Sequence, residues 1–168
     1  QTMFAGGAWG WTGYIPHHKK NLHSTIAALA ACRQENVKTV IVTSWSDDGC
    51  EAPFYTAAFG LVLYSYFDYH AEYVQEEFER YLQLYTGMDF DCWMRQGKPD
   101  LFDGCTGNDY DITTSKYLLY QDPLGSKFLH YIKTLSTDMD AVYSALEKAF
   151  TEDAQTVSRP QQKHIAEF

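Results

Sequence analysis

The run Thr39-Val40-Ile41-Val42 constrains this chain most. With Lys38 and Thr43 it predicts a strand over 38–43 that is apolar on both faces, the pattern of a parallel strand buried on two sides. A parallel partner has to be reached through a crossover, usually a helix, and the preceding residues supply both. TMFAGGA, residues 2–8, predicts a shorter strand. Gly6 and Gly7 let its end turn sharply or approach something closely. Gly10, Gly13 and Pro16 punctuate a loop over 9–21. Ile26, Leu29, Ala30 and Arg33 have helical spacing and predict a helix over 23–36, with Asn21 or Ser24 as its cap and Asn36 as its end. A further helix is expected over 52–67, with Pro53 in its first turn. The order is βαβα, the unit of a parallel α/β sheet or barrel.

After Asp68 the texture changes. HAEYVQEEFERYLQLYTG, residues 70–87, predicts an amphipathic helix with Tyr73, Val74, Phe78, Tyr81, Leu82 and Tyr85 along one side and Gly87 as its stop. Residues 88–114 read as a long polar and aromatic connection. SKYLLYQDPLG, residues 115–125, ends in a turn at Asp122-Pro123, and helices are expected over 126–135 and 138–150. The expected organisation is therefore an α/β portion over 1–68 and a helical domain over 69–168, predominantly helical overall. No internal repeat or low-complexity segment interrupts it.

Hydrophobic content of 45% in 168 residues supports a packed core and excludes global disorder. The formal net charge of -9 repels phosphate backbones and argues against nucleic acid as a partner. No apolar run is long enough for a membrane span, and no signal-peptide pattern opens the chain. Gln1 is not an initiator Met, so the chain is expected to begin inside a longer protein. Cys32, Cys50, Cys92 and Cys105 form no CxxC and no zinc-like pattern with histidine. Their even number permits two disulfides, although a core of this size favours free thiols.

The loops after the two strands carry the candidate chemistry, because parallel α/β folds place function at the C-terminal ends of their strands. WGWTGY brings Trp9, Trp11 and Tyr14, and SWSDDGCE brings Trp45, Asp47, Asp48 and Glu51. A flat indole covers the C–H face of a sugar, while carboxylates accept hydrogen bonds from its hydroxyls. His17 and His18 are additional polar groups. The same residues have a plainer reading: tryptophan packs at sheet rims, Asp48-Gly49 suits a turn, and Asp47 or Glu51 can cap the following helix. No metal or other cofactor is expected, since adjacent histidines do not converge on one ion and no HxxxH or HExxH spacing occurs. A GxSxG elbow is absent as well. The acidic run QEEFER reads as a solvated helix face, and Lys19-Lys20 is too short for an anion-binding patch.

FAGGAWGWTGYIPHH followed by VIVTSWSDDGCE resembles the end of the catalytic barrel of glycoside hydrolase family 20, the β-N-acetylhexosaminidases. It is most similar to the bacterial subgroup with a helical C-terminal domain, which SKYLLYQDPLG and the helices after it also resemble. The resemblance implies the last two βα units of a (β/α)8 barrel, with residues 2–8 as the seventh strand and 38–43 as the eighth. It implies that Trp45 lies under the terminal N-acetylated sugar and that Asp47 binds its outer hydroxyls. Trp9 and Trp11 would wall the pocket, and Tyr14 is the candidate for the acetamido carbonyl. The parent enzyme would remove terminal N-acetylhexosamine from glycans by substrate-assisted retaining hydrolysis.

Family members orient the acetamido group and protonate the leaving oxygen with an adjacent Asp-Glu pair, and this chain contains no Asp-Glu dipeptide. A complete barrel takes about 250 residues. The chain is therefore expected to be an inactive C-terminal fragment with no catalytic residue of its own. Its partners would be glycans, through the parent, and the N-terminal part of the same barrel. Two strands without neighbours leave open edges, so the isolated chain should form a homodimer or lose order in that region. A self-contained sugar-binding module, a structural helical interaction domain and a small α/β enzyme using Asp47 or Glu51 are the alternatives.

Overall fold

The structure, a computed structural model, describes residues 2–11, 13–45, 51–100 and 138–156. The described residues are predominantly helical, at 65%, with five helices and one parallel two-stranded sheet. Strand β1 (Met3–Gly7) leads through α1 (His18–Gln34) to β2 (Thr39–Thr43). A 3-10 turn (Phe54–Ala57) enters α2 (Ala58–Tyr69), followed by α3 (Gln75–Thr86), α4 (Phe90–Gln96), a second 3-10 turn (Lys98–Asp100) and α5 (Met139–Thr156). The expected βαβα order is therefore present. The strands pair in parallel, in register from Met3 with Thr39 to Gly7 with Thr43.

One face of this sheet packs on α1 and α2. Phe4 and Val42 meet the core there, and Gly6 is pressed so closely by the Tyr64 hydroxyl that a Cβ would collide with it. The other face carries Met3, 61% exposed, and Ile41, 46% exposed. The expectation that β2 is buried on both sides is thus corrected. Among the described residues its apolar, β-branched run has helical cover on one side, and each strand has one neighbour.

The beginning of α1 also differs from expectation. The helix starts at His18, and its cap is His17, whose Nδ1 accepts the Lys20 amide at 3.2 Å. Asn21 and Ser24 lie inside the helix. Asn21 is buried against Gly60 of α2, and the Ser24 hydroxyl donates back to the Lys20 carbonyl at 2.7 Å. Imidazole supplies an acceptor in the place where Ser, Thr, Asp or Asn is the usual cap.

The core is continuous from α1 to α4. Leu22 and Leu29 of α1 meet Phe59, Leu63 and Tyr66 of α2, Phe78 and Leu82 of α3, and Cys92 and Trp93 of α4. The Phe59 and Phe78 rings pack edge to face at 5.8 Å, so the core crosses residue 68 without a break. Helix α3 stops at Gly87, which adopts the left-handed conformation with φ 73°. Phe78 and Leu82 face inward, but Val74 and Tyr85 on the same expected stripe are exposed.

Helix α4 lies within the stretch that reads as a connection. Asp89 caps it by accepting the Cys92 amide at 2.7 Å. Its Trp93 is fully buried and donates its indole N–H to the Thr86 hydroxyl at 3.1 Å. Helix α5, expected over 138–150, runs on to Thr156, with Asp138 capping it through the Ala141 amide at 3.1 Å. Arg95 and Asp153 form an ion pair that ties it to α4. Cys32 and Cys92 are buried free thiols. The expected turn at 122–123, the helix over 126–135, Cys50 and Cys105 lie outside the described residues.

Candidate functional site

Because β1 and β2 are parallel and Gly7 pairs with Thr43, the loops after them leave from the same end of the sheet. The Ala8 amide donates to the Thr43 carbonyl at 2.8 Å and carries the pairing one step further. Past it, the two loops touch again, where the Ala52 amide donates to the Gly13 carbonyl at 3.1 Å. Gly10 sits against the first 3-10 turn, where a Cβ would lie 3.0 Å from the Thr56 hydroxyl. Two segments about forty residues apart in sequence are thus docked side by side through backbone contacts.

Trp9, Trp11 and Trp45 all stand at this end. The rings of Trp9 and Trp11 stack at 4.7 Å between centroids, with an interplanar angle of 21°. The Lys20 ammonium stands 4.0 Å from the centre of the Trp9 ring, a cation–π distance. The far edge of Trp11 lies over Gly7, so that a Cβ there would be 3.4 Å from Trp11 Cζ2 and Cζ3 and would collide with Cη2. Trp45 donates its indole N–H to the Thr43 hydroxyl at 2.7 Å, and that hydroxyl donates to the Gly6 carbonyl at 3.0 Å. Its one polar atom is thereby tethered, while the residue is 53% exposed.

The remaining candidates separate. Tyr14 and Glu51 are half-buried on the two docked loops. Asp47 and Asp48 lie outside the described residues. The two histidines have separate roles: His17 caps α1, and His18 is fully buried in the core. His18 Nε2 is 3.0 Å from Gln96 Oε1, and the imidazole packs against Phe59 at 4.7 Å and Trp93 at 5.2 Å. Burial lowers its pKa to about 4. The hydrogen bond to Gln96 opposes that shift, and neighbouring His17 adds to it.

Two contributors have no signal in the sequence. Lys20 reads as part of a short basic pair, yet it stands on Trp9. Thr43 is simply the last residue of a strand, and nothing marks its hydroxyl as a tether. A third, Gly7, belongs to a glycine pair that allows a sharp turn or a close approach, and the close approach is that of Trp11, which fills the space of the missing side chain.

Among the described residues, no group of three or more His, Cys, Asp or Glu side chains is placed to hold a metal ion. No described helix is long and apolar enough to cross a membrane. No known protein-family model matches this chain, and no curated protein matches it.

Proposed function

We propose that this chain is the C-terminal part of a family 20 β-N-acetylhexosaminidase. It would comprise the last two βα units of the barrel over 1–68 and the helical domain over 69–168, and it would supply part of the sugar subsite. The observation that carries this reading is the parallel β1–α1–β2–α2 unit, which delivers Trp9, Trp11 and Trp45 to the C-terminal end of its two strands. The apolar face opposite the helices, with Met3 and Ile41, fits the inside of a barrel whose other strands lie elsewhere. In this role Trp45 offers its exposed indole to the C–H face of a terminal N-acetylhexosamine, and Asp47 accepts hydrogen bonds from its hydroxyls. The acid that protonates the leaving oxygen belongs to the missing part of the barrel, because the chain has no Asp-Glu pair.

The test is an assay of the 168-residue chain against a chromogenic N-acetyl-β-glucosaminide, beside an Asp47→Ala variant. We expect no turnover from either. Turnover that Asp47→Ala abolishes would place the catalytic groups in this chain and overturn the fragment reading.

A second reading has its own support. The core crosses residue 68 unbroken, as in a unit that folds by itself, and this favours a self-contained, non-catalytic sugar-binding module. Monomeric chain with tight, saturable sugar binding decides for the module. The fragment reading expects association instead, since β1 and β2 present an apolar face and open edges. Light scattering on the purified chain should give a dimer, and Ile41→Lys, which puts a charge on that face, should shift it to monomer. A monomeric wild-type chain that keeps its strands would contradict the dimer.

A further inference from the structure

Trp9 and Trp11 have different surroundings, and the difference assigns them different roles. The Lys20 ammonium lies 4.0 Å from the Trp9 ring centre, and the Trp11 ring lies 4.7 Å from it. Both groups lie against the Trp9 ring, which leaves little of it for a ligand. Trp11 uses one face in the stack, with its far edge resting over Gly7.

Lys20 is itself anchored. Its amide donates to the capping imidazole of His17 at 3.2 Å, and its carbonyl accepts the Ser24 hydroxyl at 2.7 Å. The first turn of α1 therefore fixes the base of a column that runs from Lys20 through Trp9 to Trp11 and ends on the sheet.

We propose that Lys20 and Trp9 are positioning residues that hold Trp11 over Gly7, and that Trp11 is the member of the pair that presents its ring to a sugar. The ligand half of this proposal rests on the sugar-subsite reading above, while the column itself does not. Trp9 then acts as a spacer, and Gly7 sets the height of Trp11 above the sheet. The φ of Gly7 is not in the left-handed region, so a methyl group there acts on Trp11 without straining the backbone.

The column has its own spectroscopic readout, because stacked indoles give an exciton couplet in circular dichroism that isolated indoles lack. We expect the wild-type chain to show the couplet, Lys20→Met to reduce it and Lys20→Arg to restore it. We also expect Gly7→Ala to change it with the fold intact. Binding of free N-acetylglucosamine, followed by titration calorimetry, should weaken about two- to fivefold in Lys20→Met, the worth of an exposed cation–π contact. Trp11→Ala should abolish it. A wild-type couplet that Lys20→Met leaves unchanged would overturn the column. A couplet that responds as expected, with no sugar binding by the wild type, would overturn the ligand role of Trp11 and leave the column standing. Binding that survives Trp11→Ala would do the same.

Discussion

Gly60→Ala should destabilise the protein strongly, although the same change in an ordinary helix stabilises it. Gly60 lies in α2, where alanine is favoured over glycine by about 1 kcal/mol through backbone entropy and solvation. Packing reverses the sign. A Cβ at this position would lie 2.8 Å from both Cα and Cβ of Ala8 and would collide with the Asn21 side-chain amide. Ala8 continues β1 and is tied to β2 through the Thr43 carbonyl, and Asn21 is fully buried in α1. The obstacle is therefore partly backbone, at a place where α1, α2 and the end of β1 meet. Overpacking of a core typically costs about 1–3 kcal/mol, and a backbone obstacle belongs at the upper end or beyond. After the helix-propensity gain is subtracted, we expect a net loss of about 2 kcal/mol, seen as a lower urea midpoint and a Tm reduced by roughly 5 °C or more. A Gly60→Ala protein as stable as the wild type would mean that β1 and α2 are not in this contact.

The parts of the fold legible in the sequence are those set by local periodicity. Thr39–Thr43 is a strand because five consecutive β-formers allow little else, and Gly87 ends α3 because the chain there turns left-handed. The start of α1 was not legible. Its cap is a histidine, and the residues that resemble caps, Asn21 and Ser24, are spent on packing and on a bond back to the preceding turn. Helix α4 is seven residues long and carries too few turns for a period to show. Its place in the core depends on Trp93 reaching Thr86 and Phe59, contacts that no local pattern encodes.

The candidate site divides in the same way. Strand order placed Trp9, Trp11 and Trp45 at one end of the sheet, since parallel strands must release their loops together. The roles within the cluster depend on Lys20, Gly7 and Thr43, whose spacing to the tryptophans follows no motif. His17 and His18 are adjacent in sequence and have opposite fates: one side chain caps the helix and the next enters the core. His17 has non-helical backbone and His18 is the first residue of α1, so the helix boundary falls between them and sends the two side chains to different places.

That buried imidazole carries the second large effect, a loss of stability in acid that belongs to His18. Its pKa is lowered from 6.5 to about 4, mainly by burial. Between those values the unfolded chain binds a proton that the folded chain refuses, so stability rises with pH across the window. The contribution of His18 is fully present above pH 6.5 and is lost progressively as pH falls toward 4. A gap of this size corresponds to about 3 kcal/mol. Among the described residues, the Gln96 Oε1 acceptor favours the imidazolium and offsets only part of the effect of burial. Its neighbours are the rings of Phe59 and Trp93, the neutral amide of Gln96, and His17, whose charge opposes protonation. Its position in the first turn of α1 adds the positive end of a helix dipole to the same side. Urea unfolding at steps from pH 7.5 to 4.5 should therefore show the wild type losing stability faster than His18→Gln, which keeps a polar group facing Gln96 and cannot titrate. Both proteins share the acid sensitivity of the remaining residues, so the difference between their slopes isolates His18. Parallel slopes would mean that the imidazole reaches water in the folded protein, and that α1 and α4 are not closed around it.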